Sequence, residues 1–165
     1  MVELGVAYQG CMHPHHLEPD LREIAAMGCS YINMTVNECD WSAWEPFVAL
    51  SSLDTFSTDP YWIHERTFSY FEDNAREAIA LAHAAGKRCQ IWVQAVWIAP
   101  GKEPQVGRTL RAAADLGADM LAVWSFHGEP GASKLDWGGD ANAAWQQVQD
   151  AYAAIAAAST RESAC

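Results

Sequence analysis

The chain has 165 residues, and half of them are hydrophobic, which is the length and composition of one folded domain rather than a disordered segment. Its formal net charge is −11 at pH 7, from 10 basic and 21 acidic residues. Because nucleic acid and anionic membrane surfaces bind clustered Lys and Arg, neither is expected as a partner, and a neutral or cationic ligand fits better.

Short β-like runs alternate with helical runs along the chain, a pattern typical of βα units and a parallel sheet. The predicted strands are Leu4–Gln9, Ser30–Val36, Leu53–Thr58, Arg88–Val96 and Met120–Phe126. The predicted helices are Pro19–Met27, Trp41–Leu50, Ile63–Ala85, Glu103–Leu116 and Ala141–Ala158. Residues 1–158 are expected to form one truncated domain, and residues 159–165 a disordered tail.

The strands alternate in polarity, and this alternation favours a particular kind of sheet. In Ser30–Val36 the apolar side chains point one way and the polar ones the other, with Ile32, Met34 and Val36 opposite Tyr31, Asn33, Thr35 and Asn37. In Arg88–Val96 one set is expected to face the helices and the other inward, with Ile91, Val93 and Ala95 opposite Gln90, Trp92 and Gln94. A sheet covered by helices on both faces would be apolar on both, whereas a barrel can turn polar side chains inward. The predicted fold class is therefore α/β, a partial (β/α) TIM-type barrel of about five parallel strands with flanking helices. Closure would require eight strands and about 250 residues. The last strand, Met120–Phe126, is expected to be buried.

Polar or aromatic residues follow four of the predicted strands, at the edge where parallel α/β folds bind their ligands. These strand ends are Asn37–Asp40, Asp59–Trp62, Gln94–Trp97 and Trp124–His127. Carboxylates, amides and flat indoles gathered on one edge are typical of a site for a sugar-like ligand.

Six segments carry a resemblance to a known family: Leu4–Gln9, Asp20–Ile24, Met27–Tyr31, Leu53–Trp62, Ile91–Ala95 and Gly117–Phe126. They resemble the first strand, first helix, second strand and last three strands of glycoside-hydrolase-like TIM-barrel proteins, a mostly uncharacterised bacterial group. The resemblance implies a glycosidase-like, carbohydrate-active domain that hydrolyses or binds a glycoside. Between about Trp44 and Leu53 the chain skips the central barrel strands, which commonly carry one catalytic carboxylate in such families. Whether the chain is an enzyme is therefore open, and the alternative is a non-catalytic remnant that binds a ligand or a partner.

Two acidic residues are the catalytic candidates, because glycoside hydrolysis uses two carboxyl groups that flank the scissile bond. Asp59 leaves the third strand directly before Pro60, and it is either a catalytic or sugar-binding acid or an Asx-type structural residue. Glu38 is the second candidate. Its structural alternative, a solvated loop or a helix N-cap ahead of Trp41, applies equally to Asp40.

Aromatic and amide side chains near the same edge are predicted to contact the substrate. Gln94 either hydrogen-bonds a ligand or is a buried amide paired within the barrel. Trp124 either stacks on a sugar ring or belongs to the core. The full predicted set is Tyr8, Asn37, Tyr61, Trp62, Gln94, Trp97 and Trp124.

No cofactor or metal is predicted. The loop residues His13, His15 and His16 suggest a metal site, but adjacent residues on one loop rarely reach tetrahedral geometry, so a polar loop is the favoured interpretation. The sequence has no nucleophile elbow and no phosphate-binding loop. A sugar isomerase or aldolase is less favoured, because no quartet of metal-binding acids and histidines and no strand-end lysine supports it.

The cysteines indicate a compartment, and the predicted open sheet edges indicate an assembly. The five cysteines are scattered and form no Cys-x-x-Cys pair, which favours a reducing cytoplasm over a disulfide framework. No signal peptide and no run of roughly 20 apolar residues is recognised. Because exposed strand edges invite pairing, two assemblies stay open: a homodimer in which a second copy completes the barrel, and a monomer that is a decayed fragment with an open edge.

Overall fold

The structure is a computed structural model that describes residues 5–8, 19, 22–23, 26, 31–34, 44–63, 66–124 and 141–162. In this part of the chain the strands are β1 (Gly5–Tyr8), β2 (Tyr31–Met34), β3 (Thr55–Thr58), β4 (Arg88–Gln94) and β5 (Met120–Trp124). The helices are α1 (Glu45–Val48), α2 (Phe68–Ala84), α3 (Pro104–Asp115) and α4 (Ala141–Glu162). Within the predicted helix Pro19–Met27, the described residues Pro19, Arg22, Glu23 and Ala26 are also helical.

All the strand pairings are parallel, as the alternation of strands and helices predicts. Strand β1 pairs with β2, and β3, β4 and β5 form a three-stranded sheet with β4 in the centre. Some Cα atoms of β2 and β3 lie within 8 Å of each other. The α/β class is confirmed. The described residues close no barrel, and a single five-stranded barrel stays a prediction.

One face of the three-stranded sheet is covered by helices and forms the core. On β4, Cys89, Ile91 and Val93 are completely buried, and Phe56 on β3 lies on the same face. Helices α2 and α3 pack against them, with buried Phe71, Ala75, Ala78, Ile79, Ala82, Val106, Leu110 and Ala113. Because each large apolar side chain contributes about 1.5–3 kcal/mol when buried, this covered face supplies much of the stability of the fold.

Strand β5 is less buried than the sequence predicts. Met120 is 37% exposed and Trp124 is 45% exposed, while the residues between them are partly buried. The reason is topological. Among the described residues, strand β5 is an edge strand that pairs with β4 alone, so no strand lies along its outer edge.

Helix α2 begins at Phe68 rather than at the predicted Ile63. Ile63 lies in a turn before the helix, and its backbone N–H donates a hydrogen bond to Oε1 of Gln94 at 2.9 Å. Thr67 then takes an extended conformation, with φ −90° and ψ 158°, directly before the first helical turn. The extended backbone at Thr67 therefore separates this turn from helix α2.

Helix α4 packs along α3, and Gly107 allows a close approach. A Cβ atom at this position would lie 3.0 Å from Oε1 and 3.1 Å from the carbonyl oxygen of Gln147. Ala144, Val148 and Ala151 of α4 are buried in the same region. Small side chains on both helices thus let α4 join the core.

Helix α4 ends at Glu162, past the predicted end at Ala158. Ser159 remains helical, and its hydroxyl donates to the carbonyl of Ile155 at 3.1 Å. No Gly or Pro follows Ala158 to stop the helix. Residues 159–162 are helical, and the division into a domain and a tail stays a prediction. No helix in the described part of the chain is long and apolar enough to cross a membrane.

Candidate functional site

The sheet face opposite the covered one carries a mixed set of aromatic and polar side chains. The alternation along β4 puts Gln90 and Trp92 on this side, opposite to the buried Ile91. The register of the sheet adds residues from both neighbouring strands. We call this surface the open face, and it consists of Ser57, Gln90, Trp92, Met120, Ala122 and Trp124.

Two indoles dominate the open face. The rings of Trp92 and Trp124 lie 6.5 Å apart between centroids and meet edge to face at 63°. Trp92 is partly buried, whereas Trp124 exposes 45% of its surface. Trp124 therefore occupies neither the closed core nor an isolated surface position, and its ring is accessible to a ligand.

Polar groups of the open face are linked to the indoles. The indole N–H of Trp92 donates to Oγ of Ser57 at 2.9 Å, and the Ser57 hydroxyl donates to Oε1 of Gln90 at 3.1 Å. These contacts cross from β4 to β3. They fix a polar patch directly beside the aromatic one.

Gln94 is a buried structural amide in this arrangement. It is 1% exposed, its Oε1 accepts the N–H of Ile63, and its Nε2 donates to the carbonyl of Val96 at 2.9 Å. The amide therefore joins the loop before α2 to the loop after β4. Of the two interpretations that the sequence left open, the buried amide agrees with these contacts.

Asp59 lies at the carboxyl end of β3 and is partly buried. Its carbonyl accepts the N–H of Tyr61 at 2.7 Å across the buried Pro60, which makes a tight three-residue turn. In β3 the covered-face residues alternate with Ser57, and the same alternation continued past the strand assigns Asp59 to the side of the open face. The turn thus holds one carboxylate, with the partly buried Tyr61, at the predicted edge.

The indoles of Trp62 and Trp97 are placed differently. Trp62 is 6% exposed, donates its N–H to Oγ1 of Thr109 at 3.0 Å and packs edge-on against Phe68 at 5.0 Å. It joins β3 to the two helices of the core. Trp97 is 38% exposed and has a φ of 54°, a conformation that costs a bulky residue energy.

The remaining predicted site residues lie at or outside the limits of the described part of the chain. Tyr8 is the last residue of β1, and only its strand position is described. Asn37, Glu38 and the loop histidines lie outside the described residues. In the structure, Trp124 therefore contacts Trp92, and Gln94 bonds to the loops beside Asp59. The role of Glu38 stays a prediction.

Ser57, Gln90, Trp92 and Met120 belong to the open face but are not among the predicted site residues. The signal for Gln90 and Trp92 was present in the sequence, because both stand on the polar side of an alternating strand. The pairing of Ser57 with Gln90 depends on the register between β3 and β4, which is a property of the folded sheet.

A second cluster, at the opposite end of the sheet, contains the residue types of a nucleophilic triad but not its geometry. Oδ2 of Asp119 accepts the backbone N–H of Cys89 at 2.8 Å and lies 2.9 Å from Nε2 of His83. The hydrogen bonds from Cys89 and from His83 hold the pKa of Asp119 below its usual value. Burial, and then the charge of Asp119, raises the pKa of the Cys89 thiol to about 12, so this thiol is not a nucleophile at neutral pH. The cluster anchors the edge of the sheet.

Among the described residues, no group of three or more His, Cys, Asp or Glu side chains is arranged to hold a metal ion. The open face therefore offers indoles, an amide, a hydroxyl and a nearby carboxylate as its chemistry. Comparison of the chain with protein-family models, curated proteins and solved structures finds no match.

Proposed function

We propose that this chain is a carbohydrate-binding domain of the glycosidase-like type, and that its open face binds a neutral saccharide. The observation that carries the proposal is the pair of indoles Trp92 and Trp124, in edge contact on an uncovered sheet face and with Trp124 half exposed. An exposed indole provides a broad apolar surface on which the C–H face of a pyranose ring can stack.

The surroundings of the indoles favour an uncharged ligand with hydroxyl groups. The six residues that define the open face are uncharged, although Asp59 and Arg88 lie on the same side at the ends of β3 and β4, and the chain as a whole has a net charge of −11, which repels anions. Gln90 and Ser57 supply polar contacts beside the rings. Apolar rings next to neutral hydrogen-bonding groups match the alternation of C–H and O–H groups around a sugar.

Binding is tested by titration calorimetry with soluble oligomers of β-1,4-linked glucose, β-1,4-linked xylose, α-1,4-linked glucose and N-acetylglucosamine. We expect at least one to bind with a dissociation constant between roughly micromolar and millimolar. Trp124→Ala should weaken it about tenfold or more, because the stacking surface is removed. The matched control is Tyr152→Ala, which removes an aromatic residue of α4 that is 37% exposed and should leave the affinity unchanged.

Two results would contradict the proposal. The first is that none of these oligomers binds at millimolar concentration. The second is a stable dimer, seen by sedimentation velocity, that Trp124→Ala dissociates, because the open face would then be covered by another copy of the chain.

Hydrolysis of the bound glycoside is the second candidate, and the position of Asp59 at the carboxyl end of β3 favours it. The partner acid would be Glu38. With nitrophenyl glycosides as substrates, Asp59→Asn should lower the rate of nitrophenol release roughly a hundredfold or more if Asp59 is an acid, base or nucleophile. Saccharide binding without nitrophenol release by the wild type would restrict the function to binding.

A further inference from the structure

Three side chains of the open face form a hydrogen-bonded relay across two strands. Ser57 on β3 lies opposite Gln90 on β4 in the sheet register, and Trp92 is two residues further along β4. The distances are 2.9 Å from Nε1 of Trp92 to Oγ of Ser57 and 3.1 Å from this Oγ to Oε1 of Gln90.

The direction of the relay follows from the chemistry of its members. An indole N–H can only donate, so Oγ of Ser57 accepts it, and the Ser57 hydroxyl hydrogen is then donated to Oε1 of Gln90. The carbonyl side of the Gln90 amide is thereby occupied. Its Nε2 carries two N–H donors, for which the described part of the chain offers no acceptor. Gln90 is partly exposed, so these donors can be reached from outside the protein.

The relay also fixes the Trp92 ring. Its N–H is held by Ser57, which is 7% exposed, and its ring is in edge contact with Trp124. A side chain held by a hydrogen bond loses less freedom on binding a ligand, which improves affinity without a new contact. The relay therefore combines a fixed stacking surface with an amide donor at its side.

We propose that Ser57 is a positioning residue of the saccharide site and that the amide N–H groups of Gln90 are its hydrogen-bond donors to the ligand. This inference rests on the proposed function and deepens it. The site selects saccharides that present an acceptor oxygen, from a hydroxyl or an acetamido carbonyl, next to the face that stacks on the indoles. An aromatic ligand with no such oxygen gains only the stacking part of the binding energy.

The test uses three variants that separate positioning from donation. Ser57→Ala removes the relay, Ser57→Thr keeps the hydroxyl, and Gln90→Glu keeps an acceptor for Ser57 while it removes the N–H donors. The readouts are the hydrogen-exchange rate of the Trp92 indole N–H by NMR in the free protein, and the dissociation constant for the oligosaccharide that binds the wild type best.

We expect Ser57→Ala to speed the exchange of the Trp92 indole N–H and to weaken binding about tenfold, and Ser57→Thr to restore both. Gln90→Glu should weaken binding by a similar factor while the indole N–H stays protected. Circular dichroism checks that each variant is folded. If Ser57→Ala does not fold, Ser57→Thr and Gln90→Glu test the proposal.

The outcomes distinguish the two proposals. If the wild type binds a saccharide, but Ser57→Ala and Gln90→Glu bind it equally well, the positioning and donor roles are wrong and the proposed function stands. If the indole N–H exchanges no faster in Ser57→Ala, the relay is wrong even without a ligand. If the wild type binds none of the oligosaccharides, the proposed function is wrong and this inference is overturned with it.

Discussion

The two faces of the sheet formed by β3, β4 and β5 are built from alternate residues of the same strands, yet they differ in almost every physical property. On β4 the covered face presents Ile91 and Val93, which are completely buried under helices. The open face presents Gln90 and Trp92, both partly exposed and both hydrogen-bonded to the neighbouring strand.

The covered face holds the residues that stabilise the fold, and the open face holds those of the proposed binding site. Apolar side chains under helices stabilise the sheet through burial, and a polar residue there would lose its hydration. The open face has no such constraint. Under the proposed function its indoles and amide bind a ligand, so variants on the two faces should separate stability from binding.

The largest expected effect is on the covered face. Ile91→Ala should lower the free energy of unfolding by roughly 2–5 kcal/mol, because it leaves a cavity in the centre of the core. Its neighbour on the open face is the control, since Gln90→Ala should cost less than about 1 kcal/mol. Urea denaturation measures both. Equal losses in the free energy of unfolding would show that the two faces contribute equally to stability.

The next effect concerns Gln94, which lies beside the open face but behaves as part of the core. Gln94→Leu should cost roughly 2 kcal/mol, because the N–H of Ile63 and the carbonyl of Val96 lose their partner. The same denaturation measurement checks this value. If Gln94→Leu is as stable as the wild type but binds the saccharide more weakly, Gln94 is a ligand-binding residue instead.

A smaller effect is expected at the Asp119 anchor, and it depends on pH. Because the pKa of Asp119 is lowered in the folded state, the unfolded chain binds more protons below about pH 4. The stability that the anchor contributes is thus present above this pH and is lost as the pH falls through the lowered pKa. Asp119→Asn should cost about 1 kcal/mol at pH 7, a low value because the residue is exposed, and should remove this acid-dependent part.

Denaturation curves of both proteins between pH 7 and about pH 3 provide the comparison. The difference in stability between wild type and Asp119→Asn should shrink as the pH falls. A difference that is constant over this range would contradict an ionised anchor. Saccharide affinity at pH 7 should be the same in both proteins, because Asp119 bonds to the backbone of Cys89 and to His83, and neither residue belongs to the open face.

The smallest expected effect is a difference in stability between two variants of Trp97, whose φ of 54° suits glycine. Trp97→Gly should be more stable than Trp97→Ala by about 1 kcal/mol, because both remove the ring but only glycine relieves the backbone. Thermal unfolding of the two variants measures this. An alanine variant as stable as the glycine variant would mean that the loop does not hold this backbone conformation.

The sequence predicted the elements whose causes are local. The alternation within Arg88–Val96 predicted both faces of β4, and the predicted helix Glu103–Leu116 agrees with α3 to within one residue at each end. Period and turn chemistry act over a few residues, so they are visible without a fold.

The remaining errors arise from contacts between distant residues. The turn before α2 includes a bond from Ile63 to Gln94, and the buried indole of Trp62 bonds to Thr109, and both partners are distant in the sequence. The same limit applies to the relay of the open face, because Ser57 meets Gln90 only through the register of two strands. Nothing in the local sequence of β3 distinguishes Ser57 as a partner of an indole.

The most direct test of the difference between the faces is fluorine NMR of protein labelled with fluorotryptophan, titrated with the best-binding oligosaccharide. Trp92→Phe and Trp124→Phe assign the resonances of the open face, and the buried Trp44 and Trp62 provide the internal control. We predict that the resonances of Trp92 and Trp124 shift on binding while those of Trp44 and Trp62 do not. A saccharide that binds while the resonances of Trp92 and Trp124 stay in place would contradict a binding site on the open face.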